Sequence, residues 1–246
     1  MPEPQLLGGG ALSARLDRIL TERGIDPTTA DDAPTLSPDE PGHPEYHRRQ
    51  RVHVACSRWA AATPPRYQDA TATHPDVIDW ARRVAESPAG APSLLITGPT
   101  GTGKTHQAYG ALRLIAEAGP TVFQMIATAT ADMYGLLRPT GAAGAAEHEL
   151  RRLCEVPLLI LDDLGSAKAS EWTEEITYRL INHRYNAMLP TIFTSNLPPT
   201  ARTDDHGRPL GPDLTAALGE RIVSRLAEMT TLVPITGTDL RRARAA

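Results

Sequence analysis

Lysine is almost missing from this 246-residue chain: of 25 lysines and arginines just two, Lys104 and Lys168, are lysines. Cysteine is equally scarce. Cys56 and Cys154 are too few and too scattered for a disulfide framework or a structural zinc site, which fits a reducing interior and a cytoplasmic location. No apolar run approaches the roughly 20 residues of a membrane span, and the first residues lack the charged-then-apolar layout of a secretion signal. A soluble protein with no membrane partner is expected. Surplus positive charge is lacking too. At a formal net charge of −4 there is no global basic field of the kind that holds a protein on nucleic acid by charge alone, although a local basic face stays open. The length allows one main domain with a substantial core plus a smaller appendage.

What the chain does carry is a phosphate-binding signature. Residues 93–106 read SLLITGPTGTGKTH, in which a strand-like Leu94-Leu95-Ile96 runs into G-x-x-x-x-G-K-[ST]. Gly98, Gly101 and Gly103 free the backbone, Pro99, Thr100 and Thr102 stand between them, and a helix-like run opens at His106. In that context successive N–H groups wrap a β-phosphate and the helix offers its positive end. Lys104 reaches the β- and γ-phosphates, and Thr105 ligates Mg²⁺. A chance Gly-rich turn explains neither the strand before nor the helix after. The scarcity of lysine sharpens the point: cationic positions elsewhere have gone to Arg, yet the cradle keeps Lys104, whose compact ammonium a planar guanidinium does not replace.

A second signature follows. Pro157 opens Leu158-Leu159-Ile160-Leu161-Asp162-Asp163, an apolar run ending in acids, which describes a central strand with carboxylates at its C-terminal tip, where ligands sit in open α/β sheets. This is a Walker B pattern. Asp162 is expected to hold Mg²⁺, directly or through water, and Asp163 to orient or deprotonate the attacking water. Many such ATPases use Glu there; Asp163 is one methylene shorter, so hydrolysis is slow or awaits a rearrangement. Thr191 to Asn196 reads as another buried strand with a polar tip. Asn196 either bonds the γ-phosphate or the lytic water from that tip, or simply opens the turn before Leu197-Pro198-Pro199. In LGERIVSRL, Arg221 and Arg225 share a helical face. They are either solvated charge or arginines offered to a neighbouring subunit's phosphates.

The remaining segments alternate in the manner of an α/β sheet flanked by helices. Leu12, Leu16, Ile19 and Leu20 form one stripe of an N-terminal helix, residues 1–25, which either docks a partner or packs on the main domain. Residues 26–45 form a linker: Asp26 to Pro44 holds five prolines, five acids and no Lys or Arg. The main domain is expected over residues 46–246. Tyr46 to Ala62 is a basic helix with Arg48, Arg49, Arg51, Arg58 and Trp59, either a solvated face or a nucleic-acid or partner contact. Pro75 to Glu86 is a helix burying Val77, Ile78, Trp80, Ala81 and Val84, and Thr121 to Ala127 a second strand followed by a polar, Ala- and Gly-rich stretch. Glu147 to Cys154 is a short helix. Glu171 to Met188 is a long one, with Trp172, Ile176, Leu180 and Met188 on its buried side and Arg179, His183 and Arg184 elsewhere. Thr231 to Ile235 makes the last strand, and Arg241, Arg242 and Arg244 a basic tail.

Taken in order, the cradle, the acidic strand tip, Thr194-Ser195-Asn196 and GERIVSRLAEM resemble the DnaC and IstB group of AAA+ ATPases from about Tyr46 to Arg242. The resemblance implies a P-loop NTPase (AAA+/ASCE) fold and ATP with Mg²⁺ as cofactors. It places Lys104 and Thr105 on the nucleotide, Asp162 on Mg²⁺, Asp163 as the acidic base, Asn196 as sensor 1 and Arg221 or Arg225 as arginine finger. Thr63 to Ala70, TPPRYQDA, resembles the segment near the adenine. Little or no C-terminal lid is expected, and Arg241 or Arg242 as sensor 2 is left open. Within the group, helicase loading is the reading chosen: a homo-oligomer, hexameric or helical, acting on single-stranded DNA and a DnaB-like replicative helicase. The helix and linker are similar to a loader's docking arm, without the zinc-binding Cys and His of some loaders. An IstB-like transposition helper on duplex DNA is the alternative, followed by a nucleotide-gated assembly module with little turnover. A small-molecule kinase would need an arginine-rich lid, and the loop Thr200 to Pro212 offers just Arg202 and Arg208.

Overall fold

In the computed structural model, which describes residues 18–19, 21–23, 36–138, 144–201, 204, 206 and 210–239, the apolar runs lie side by side in one sheet. Its strands are β1 (Ser93–Thr97), β2 (Met125–Ala129), β3 (Leu158–Asp162), β4 (Thr191–Ser195) and β5 (Thr230–Pro234). They stand in the order β2-β3-β4-β1-β5 with every pairing parallel. β1 and β4 are buried along their whole length, so both faces need cover, and a continuous apolar run suits them better than alternation. The cover comes from α1 (Pro44–Ala62), α2 (Pro75–Glu86), α3 (Lys104–Ala118), α4 (Thr130–Leu137), α5 (Ala145–Glu155), α6 (Glu171–Asn186), α7 (Leu214–Leu218) and α8 (Glu220–Met229). Trp80, Leu112 and Ile115 meet Leu94, Ile96 and Ile192 on one face of the sheet. Met133, Leu153 and Leu180 meet Leu95, Leu159 and Phe193 on the other. No helix among the described residues is long and apolar enough to cross a membrane.

The chain divides into two compact units, Met1–His47 and Arg48–Ala246, and the sheet belongs to the second. In the first, residues 18, 19, 21 and 22 are helical and Ile19 is exposed. Leu12, Leu16 and Leu20 of the expected stripe lie outside the described residues, as do residues 26–35 of the acidic linker.

Four expectations need correction. The second strand occupies Met125–Ala129, not Thr121 to Ala127. The stretch before it is held by the basic helix: Arg51 Nε donates to the Gly119 carbonyl and Arg58 to that of Phe123, both at 2.9 Å. At least these two arginines therefore dock α1 on the end of α3 and the loop after it. The polar stretch after β2 contains α4, which buries Met133, Tyr134 and Leu137. Met188 falls beyond the end of α6 with φ 52° and is exposed. Arg184, expected away from the buried side, is 0% exposed. Its guanidinium donates to the carbonyls of Leu153, Cys154, Val156 and Pro190 and to Thr191 Oγ1, at 2.7–3.1 Å. Burial pulls its pKa down to about 10, and the ring of carbonyl dipoles, including the C-terminal end of α5, supplies the compensating negative potential.

Arg184→Met leaves those acceptors buried without a donor, at about 1–3 kcal/mol each. Urea unfolding is expected to show a loss of about 3 kcal/mol or more. Arg179→Met, which breaks an ion pair to Glu147 at the surface, is expected to leave the unfolding midpoint almost unchanged.

Candidate functional site

The site grows from the end of β1. After Thr97 the loop turns through Gly98, Gly101 and Gly103 at φ 154°, 83° and 94°, backbone that side chains rarely adopt, and α3 begins at Lys104. Lys104 is 5% exposed. Its ammonium donates to the carbonyls of Gly98 (2.9 Å) and Pro99 (2.8 Å) and to Asn196 Oδ1 (2.7 Å). Thr102 Oγ1 donates to the same Pro99 carbonyl at 2.9 Å. The loop is thus curled around its own lysine.

Because β4 lies between β1 and β3, the polar tips of those strands converge on the loop. Thr105 Oγ1 lies 3.0 and 3.1 Å from the two carboxylate oxygens of Asp162. Thr194 Oγ1 donates to Asp162 Oδ1 at 2.5 Å and accepts from the Asp163 N–H at 3.0 Å. Asp163 adopts φ 54°, a left-handed turn that a short polar side chain tolerates, and the chain leaves the sheet there. Asn196 Nδ2 donates to Asp163 Oδ1 at 3.3 Å. One amide therefore joins the loop's cation to the strand-tip acid, with its oxygen toward the ammonium and its nitrogen toward the carboxylate.

Burial, and secondarily the charge of Asp163, raises the pKa of Asp162 above the ordinary carboxylate value, against the pull of the Thr194 and Thr105 hydroxyls and of Lys104. A buried carboxylate facing a hydroxyl is a pair of hard oxygens of the kind Mg²⁺ takes, with water and phosphate completing the shell. Among the described residues no cluster of three or more His, Cys, Asp or Glu forms a self-sufficient metal cage. Thr105 and Asp162 thus fit a cation that arrives with its ligand.

The cleft above the loop, of about 460 Å³, is lined by residues 100–107, by Asp163 and Asn196, and on its far side by Arg66, Tyr67, Asp69 and Thr73. That volume suits a ligand of nucleotide size. The far wall is fastened to α3. Tyr67 stacks on Tyr109 (4.9 Å, 13°), and burial pushes the Tyr109 phenol up to about 12, so that ring stays neutral. Gln107 accepts from the N–H groups of Thr73 (2.8 Å) and His74 (3.1 Å), and His106 Nε2 accepts from that of Thr71 (3.3 Å). Gly110 allows the approach: a Cβ there would stand 2.2 Å from the Ala72 nitrogen. No motif in the sequence marks Gln107 or Gly110 as part of the site, although a glycine amid the helix-forming HQAYGAL is a signal of close backbone contact.

Of the residues expected to form the site, the structure gathers Lys104, Thr105, Asp162, Asp163 and Asn196 around the loop and puts His106 in the cleft wall. Arg221 and Arg225 lie outside the cleft, on α8, each with its guanidinium carbon 4.7 Å from the Tyr178 ring centre. Arg225 is pinned by bonds to Asn182 Oδ1 (2.8 Å), the Tyr178 hydroxyl (3.0 Å) and the Arg221 carbonyl (3.0 Å). Arg221 is exposed. Arg202, Arg208, Arg241, Arg242 and Arg244 lie outside the described residues.

A family model described as IstB-like ATP binding protein matches residues 89–245, which contain the loop, both acids, Asn196 and α8. The chain belongs to this family of DnaC/IstB-like AAA+ ATPases. It is 26% identical over 156 residues to the replicative helicase loader DnaC of Escherichia coli (strain K12), covering 62% of this chain and 57% of DnaC. With an ATP-binding protein of insertion sequence IS1162 from Pseudomonas fluorescens it shares 32% identity over 120 residues, 49% of this chain and 50% of the other. The chain thus spans about half the length of these curated relatives. A crystal structure of the DnaC helicase loader superposes with a TM-score of 0.57 at 28% identity, covering 70% of this chain and 100% of that one. The parallel sheet with its order β2-β3-β4-β1-β5 is the P-loop AAA+ architecture of that neighbour, and ATP binding is the property the family carries.

Gly110→Ala gains about 1 kcal/mol of helix propensity but drives a methyl into the backbone of Ala72, where overpacking costs about 1–3 kcal/mol. The clash is expected to win, lowering the melting temperature and weakening nucleotide binding in a fluorescence titration; a more stable protein with unchanged binding would contradict the fastening of that wall.

Proposed function

We propose that this protein is an ATPase that loads a replicative helicase, coupling ATP binding and hydrolysis to its grip on single-stranded DNA and on a DnaB-like helicase. The observation that carries the reading is the match to the DnaC loader, which takes in the whole of the solved DnaC chain. In this reading the loop N–H groups and the first turn of α3 hold the phosphates, and Lys104 leaves the Gly98 and Pro99 carbonyls for the β- and γ-oxygens. Thr105 and Asp162 hold Mg²⁺, which neutralises charge on the phosphate oxygens. Asp163 orients the attacking water. Asn196, bonded to both Lys104 and Asp163, registers the γ-phosphate. Subunits assemble so that an arginine of one faces the nucleotide of the next. Arg221 is that arginine, because the side-chain bonds of Arg225 are already committed within its own subunit.

A second reading, a transposition helper acting on duplex DNA, is favoured by the family model and by the insertion-sequence relative. ATP turnover measured without DNA, with single-stranded DNA and with duplex DNA, each with and without a replicative helicase, separates the two. Stimulation by single strands and helicase together is the expected result. Stimulation by duplex alone would replace loading with the second reading, and near-zero turnover insensitive to DNA, with assembly intact, would favour a nucleotide-gated assembly module.

Lys104→Ala is expected to abolish nucleotide binding. Asp163→Asn should keep binding and lower turnover by about 10²–10⁴; a full-speed Asp163→Asn enzyme would remove that residue from the mechanism. Arg221→Ala should bind ATP normally and turn over about 10³-fold more slowly. Mixing it with Lys104→Ala chains restores activity if the arginine acts in trans.

A further inference from the structure

Beyond β5, which pairs parallel with β1, the chain runs on alongside the phosphate loop in the same direction. The Ile235 N–H donates to the Thr97 carbonyl at 2.7 Å, and the Ile235 carbonyl oxygen stands 2.0 Å from where a Cβ on Gly98 would be. At the far end of this strap, Asp239 Oδ1 lies 1.9 Å from the corresponding position on Gly101. Two of the loop's glycines are thus needed for the strap beside them as well as for their positive φ. Asp239 is not among the residues lining the cleft. Its carboxylate packs against Gly101, which is.

We propose that residues 235–239 are a working part of the nucleotide site, with the Asp239 carboxylate opposing the charge of the bound phosphates and so setting a fast release of nucleotide. The inference rests on the reading of the loop as a triphosphate seat. A carboxylate packed against Gly101 stands close to the backbone that would hold a phosphate. At such a distance like charges repel appreciably even at an effective dielectric near 20. In that reading the N–H groups and Lys104 hold the phosphates directly, so Asp239 tunes occupancy and does not prevent it. An ATPase that must rebind and release nucleotide to change its grip gains from a loop that does not hold product too tightly.

The test is stopped-flow binding and release of fluorescent ADP and ATP analogues by the full chain, by Asp239→Asn and by Asp239→Glu. Asp239→Asn is expected to bind roughly ten-fold more tightly, mainly through slower release. The gain should shrink as salt is raised, which a purely structural role would not produce. Asp239→Glu, which keeps the charge, should stay near the parent protein. If Asp239→Asn binds as the parent does or more weakly, or if its gain ignores salt, the strap does not act through its charge and the inference falls with the loop reading intact. If the parent protein binds neither analogue, the loop reading itself fails and takes the inference with it.

Discussion

A single buried ammonium holds the site together. Lys104 is surrounded by the carbonyls of Gly98 and Pro99 and by the amide oxygen of Asn196. Leaving a cation out of water is tolerable here because partial negative charges replace its hydration. That requirement fixes the rest: the loop must reverse on itself, so it needs left-handed backbone at its glycines, and β4 must neighbour β1, so that Asn196 arrives beside the loop. With β3 on the other side of β4, Thr194 can receive Asp163 and donate to Asp162. The strand order and the lysine's coordination are two views of one constraint.

The loop, the acidic tip and Asn196 were legible in the sequence because each is local: a glycine pattern, an apolar run ending in acids, a polar tip after a buried strand. What was not legible depends on partners distant in sequence. Thr121 to Gln124 has the composition of a strand, yet Arg58 of α1 claims the Phe123 carbonyl and the ladder with β3 begins at Met125. Arg184 looks like any helix arginine until the end of α5 and the start of β4 close around it. The basic run in α1 reads as a charged face, whereas Arg51 and Arg58 serve the fold through single carbonyls. The bonds that hold Arg225 come from Tyr178 and Asn182, some forty residues earlier.

The family model matches residues 89–245, yet the cleft is completed by residues that precede them. Arg66, Tyr67, Asp69 and Thr73 form the far wall, and α3 carries the side chains that hold that wall in place. α3 begins at the loop and turns its flank to this wall, so one helix joins the two sides of the cleft. Arginine serves the packing of α1, α6 and α8, whereas the loop keeps a lysine, whose compact ammonium fits among the oxygens of Gly98, Pro99 and Asn196.

The most direct measurement is a crystal structure with a non-hydrolysable ATP analogue and Mg²⁺. Lys104 Nζ is expected to have left the Gly98 and Pro99 carbonyls for phosphate oxygens, with the metal held by Thr105 and Asp162. A loop without phosphate, with Lys104 still bonded to those carbonyls and the analogue elsewhere, would contradict it.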